Sequence, residues 1–76
     1  MDKAMALAHL ALAERHIARG YEHLASQTRI VANLENAGHD TAMAQSLLET
    51  FRDIQRIHLA DRDRIKRELA AFPGHS

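Results

Sequence analysis

The chain predicts an all-α protein, an antiparallel two-helix hairpin that becomes a four-helix bundle as a homodimer. Three observations carry this. Alanine, leucine, glutamate and arginine dominate a composition that is 46% hydrophobic and 26% charged, the mixture of long helices. Only three glycines and one proline punctuate 76 residues, and all but Gly20 fall where helices are expected to end. Both halves carry apolar residues at spacings of three and four, the period of a helix face.

The first helix is expected over about residues 2–36. Leu10, Ile17, Leu24 and Val31 recur seven apart, followed three places on by Ala13, Gly20, Gln27 and Leu34. Such a repeat makes a coiled-coil seam, and its small residues let a neighbouring backbone approach closely. Ala11, Ala18, Ala25 and Ala32 form a third row, and Arg15, Glu22, Arg29 and Asn36 a polar row facing outward. Gly20 costs a helix interior about 1 kcal/mol against alanine. The heptad phase crosses it without a slip, so one continuous helix is expected.

The turn is expected over 37–40, Ala37-Gly38-His39-Asp40. Gly38 suits the left-handed position past a helix end, and Asp40, or Thr41 in its place, suits the N-cap of the second helix. That helix is expected over 41–72, stopped by Pro73, which disfavours helical geometry at Phe72. Residues 73–76 then read as a frayed tail. Within the second helix a stripe runs through Leu47, Phe51, Ile54, His58, Asp61, Ile65 and either Leu69 or Phe72. Its other face pairs Glu49 with Arg52, Asp53 with Arg56, Asp63 with Arg67 and Arg64 with Glu68.

A single domain of this length rarely gains more than about 3–5 kcal/mol from its own core. Two helices bury only the strip between them, yet Leu12, Ile30, Met43, Leu48, Ile57 and Leu59 also need cover. Self-association through Leu10, Ile17, Leu24, Val31, Leu47, Phe51, Ile54 and Ile65 is the simplest solution, with another protein as the alternative partner.

Ten basic residues balance ten acidic ones, which gives the whole molecule no reason to seek nucleic acid or anionic membrane. The cluster Arg52, Arg56, Arg62, Arg64, Lys66 and Arg67 is cancelled by Asp53, Asp61, Asp63 and Glu68, so it reads as a solvated, salt-bridged face. Absence of cysteine rules out disulfides and thiolate metal sites and fits a soluble protein of the cytoplasm. Lys3 and the run Ala4–Ala13 faintly imitate a secretory signal, but His9 interrupts it and the helical phase runs on.

Six histidines are the compositional oddity. His9, His16 and His23 lie seven apart and are expected beside the Leu10–Val31 row, and folding about Gly38 brings His58 near Gly20. Histidine and carboxylate on facing helices can hold a transition metal, which makes His16, His58 and Asp61 candidate ligands. The competing reading sets these rings at the seam edge, where a polar group fixes register and Gly20 leaves room for His58. Ser26, Ser46 and Tyr21 lack a base and orienter around them, so neither an enzyme nor a cofactor is expected.

The run from Arg15-His16-Ile17 through Gly20, His23-Leu24 and Gln27, then Gly38-His39-Asp40-Thr41, Leu47-Leu48, Phe51, His58 and Asp61-Arg62-Asp63-Arg64 resembles a set of short all-helical proteins of alphaproteobacteria. That resemblance covers nearly the whole chain and implies a bacterial cytoplasmic origin. The set has no known activity, so it implies no functional residue here.

Overall fold

A computed structural model describes residues 2–73. It is an antiparallel hairpin of α1 (Lys3–Asn36) and α2 (Ala42–Ala70), with no strand among the described residues. Residues 74–76 of the expected tail lie outside the described residues.

Local chemistry sets the ends. The Asp2 carboxylate accepts from the Met5 amide at 2.7 Å and so caps α1. At the other end the His39 amide donates to the Leu34 carbonyl (2.9 Å) and the Gly38 amide to the Glu35 carbonyl (3.0 Å). These two bonds form a Schellman motif, which needs a left-handed residue, and Gly38 supplies it with φ +75°. Asp40 Oδ1 then accepts from the Ala42 amide, and Thr41 stands at the cap without a side-chain bond of its own. The far end of α2 stops two residues short of Phe72, because the Ala71 and Phe72 amides turn back to the Glu68 and Leu69 carbonyls.

Helix α1 runs unbroken through Gly20. It turns both rows of its heptad inward: Ala6, Ala13, Ile17, Gln27 and Val31 are buried, and Leu10, Gly20, Leu24 and Leu34 half-buried. Helix α2 differs from expectation. Leu48, Gln55 and Ile65 are its buried positions, whereas Leu47 and Ile54 are 44% and 42% exposed. Leu47 and Ile54 each lie one position, or about 100° of helix, from a buried residue, whereas Ile65 is buried as expected. Apolarity misassigns the phase because the inner row of α2 includes Gln55 and Arg62, while the neighbouring outer row carries leucine and isoleucine.

The molecule measures 60 × 14 × 13 Å, with a radius of gyration of 17.4 Å. A compact domain of this length would have about 11 Å. Its accessible surface of 5540 Å² exceeds the roughly 4,700 Å² of a compact 8.5 kDa monomer. No helix among the described residues is long and apolar enough to cross a membrane.

Candidate functional site

Two glutamines tie the helices together. Gln27 on α1 donates from Nε2 to the Ala44 carbonyl on α2 (2.9 Å), and Gln55 on α2 donates to the Ile17 carbonyl on α1 (2.9 Å). Each amide reaches across the seam to the other backbone, so sliding one helix by a residue breaks both bonds. The register role expected of histidines falls to these glutamines.

Gln55 lies against Gly20. A Cβ built on Gly20 would collide with Gln55 Oε1 and stand 2.7 Å from Cδ. The close approach expected at Gly20 is there, but Gln55 fills the space, not His58. Gln55 Oε1 is buried without a hydrogen-bond partner. The Gly20 hydrogen that occupies the Cβ direction points at it, a weak Cα–H···O contact.

On one side of this contact the His16 and His58 rings meet with centroids 5.0 Å apart and planes at 45°. On the other side His23 meets Phe51 at 5.6 Å. The histidines therefore flank the Ala13, Gly20 and Gln27 row, where small side chains leave an opening, and not the Leu10–Val31 row. His16, Gly20 and His23 from α1 and Phe51, Ile54 and His58 from α2 line an open groove of about 320 Å³. Arg19 stands at its rim.

Asp61 does not join the two rings. Its Oδ1 accepts from Arg64 at 2.6 Å, and Arg64 also reaches Glu68 at 2.5 Å. Hydrogen bonds to Asp61 and Glu68 push the exposed Arg64 guanidinium pKa above its ordinary value. The three-ligand set His16, His58 and Asp61 is corrected accordingly: among the described residues no group of three or more histidine or carboxylate side chains could hold a metal ion. Ion pairs also join Asp53 to Arg56 and Asp63 to Arg62, so Asp63 pairs with its neighbour and not with Arg67.

The groove runs along the middle of a wider apolar face. Helical periodicity sets Met5, Leu12 and Ile30 beside its α1 edge and Met43, Leu47, Ile54 and Ile57 beside its α2 edge, all of them exposed. The opposite face carries Leu7, Glu14, Tyr21, Thr28 and Glu35 against Gln45, Arg52, Leu59 and Lys66, with Leu7 exposed and Leu59 half-buried. Gln55 escaped sequence reading because a lone glutamine carries no apolar signal. The heptad spacing Leu48, Gln55, Arg62 was the signal that could have found it.

Fold and groove together define a two-helix antiparallel hairpin with cross-helix glutamine bonds and an exposed apolar face. Comparison with protein-family models, curated proteins and solved structures finds no match for the chain.

Proposed function

We propose that the chain is a small, non-catalytic, cytoplasmic interaction or regulatory module that self-associates, two hairpins packing face to face as a four-helix bundle. The observation that carries this is the apolar groove face. Met43 and Ile57, 87% and 66% exposed, continue the surface begun by Leu47 and Ile54. Apolar patches of that extent mark interaction sites.

A second copy fits this face better than a smaller ligand. The face is as long as the molecule, 60 Å, and about one hairpin wide, 14 Å. That offers about 800 Å² per copy, the share each partner contributes to a standard stable interface. The hairpin alone also buries few large side chains, Ile17, Val31, Leu48 and Ile65. A domain of this size needs oligomerisation to add to so small a core.

Light scattering of the chain at micromolar concentration tests the proposal. A mass near twice 8.5 kDa supports it, and a mass near 8.5 kDa that persists as concentration rises overturns it.

A further inference from the structure

The apolar groove carries the groups that regulate its own pairing. We infer that protonation of His16, His23 and His58 opens the face-to-face dimer, so that two copies pair at neutral pH and part in mild acid. The inference rests on the self-association proposed above.

His16, His23 and His58 line the groove together with Gly20, Phe51 and Ile54. Gly20 lies near the middle of α1, which runs from Lys3 to Asn36. The groove is therefore central to the apolar face, and a second copy covers it whichever way the two-fold axis runs. In a lone hairpin the groove is open, and water solvates a charged ring. In the dimer the rings are shut between two apolar surfaces, which tolerate a neutral imidazole and penalise an imidazolium.

The charges around the rings do not relieve that penalty. On α1 they face Arg19 at the groove rim and His9, which precedes His16 on the same row. On α2 they face Arg62, paired with Asp63, and Asp61 and Glu68, both held by Arg64. Arg64 leaves that last cluster with one net negative charge, which Arg19 already offsets. No histidine among the described residues forms an ion pair. Protonation thus turns a groove with one cation, Arg19, into one with four, and places the His16 and His58 charges on rings 5.0 Å apart. The groove of a second copy brings the same cations to the interface, so the two surfaces repel in either orientation.

The sign follows from linkage. Lone hairpins take up protons that the dimer excludes, so association is fully present above the ordinary imidazole value of ~6.5 and is lost as pH falls below it. One excluded proton per copy raises the dissociation constant about a hundredfold between pH 7.5 and 5.5.

Sedimentation equilibrium of the full chain at those two pH values reads the dissociation constant, and circular dichroism reads the helix content. The expected result is a rise of about a hundredfold or more in acid. The double variant His16→Gln, His23→Gln, at two exposed positions, should stay helical and lose much of that rise, and adding His58→Gln should abolish it. His39→Gln, in the turn and away from the groove, should keep it whole. A dimer equally tight at both pH values would overturn the switch and leave the dimer standing, and a monomer at pH 7.5 would overturn both. An undiminished rise in the triple variant, or an equal loss of helix in wild type and triple variant at pH 5.5, would place the titration outside the groove and overturn the inference.

Discussion

Gln55 Oε1 occupies the place that a side chain at Gly20 would take, while Gln55 Nε2 bonds the Ile17 carbonyl at 2.9 Å. Glycine and glutamine thus form one device: absence of a Cβ on α1 admits the amide that locks α2 in register.

Gly20→Ala exposes the coupling. In an open helix interior alanine gains up to about 1 kcal/mol over glycine. Here the new methyl must displace the Gln55 amide, which breaks the bond to Ile17 and overpacks the seam, typically at a cost of about 1–3 kcal/mol. The substitution should therefore destabilise the wild type. In a Gln55→Ala background the obstruction is gone, and the same substitution should stabilise. Urea denaturation of the four-member cycle at fixed chain concentration measures this. Additive effects would show that the two positions do not meet.

Gly38 tests the turn independently of the seam. Nothing lies within 4 Å of a Cβ built there, so any cost of Gly38→Ala comes from φ +75° alone. Destabilisation of about 1 kcal/mol is expected. Gly38→Asn should cost less, because asparagine tolerates left-handed geometry. Equal stability of all three proteins would mean that the chain turns some other way.

How far the sequence reveals this fold differs between the helices. In α1 the two heptad rows coincide with the seam even though Met5, Leu12 and Ile30 lie outside it, so heptad rows, helix continuity and the Gly38 stop are all legible. In α2 the apolar residues serve two surfaces, the seam and the exposed face. Leu47 and Ile54 advertise the outer one, while Gln55 conceals the inner one. The pairing of His16 with His58 was partly foreseeable from the turn, which set His58 within a turn of His16. Loss of Asp61 to Arg64 was not, because Arg64 has carboxylates both three residues before it and four residues after it.

The ion pairs of α2 should matter little to stability. Asp53–Arg56 and the Asp61–Arg64–Glu68 cluster lie on exposed side chains, where Coulomb attraction is weak and side-chain ordering offsets it. Arg64→Ala should move the melting temperature by no more than a few degrees. One molar sodium chloride should erase what difference there is, since screening then acts within about 3 Å. A large loss that persists in salt would assign Arg64 a packing role.

Glutamate substitutions separate the seam from the outer face. Ile65 is 2% exposed, so Ile65→Glu puts a carboxylate into the buried seam. This variant should lose its helical signal. Ile54, 42% exposed, borders the groove, and a glutamate there stays solvated in a lone hairpin. In a face-to-face dimer the same charge is buried against the second copy. Ile54→Glu should therefore keep its helical circular dichroism at high concentration while its mass in solution halves, and Leu47→Glu should behave alike. Dimerisation also stabilises by mass action, so both variants should melt below the wild type, and their melting should no longer depend on concentration. An Ile54→Glu protein that stays dimeric would place the interface elsewhere, and one that unfolds outright would return Ile54 to the seam.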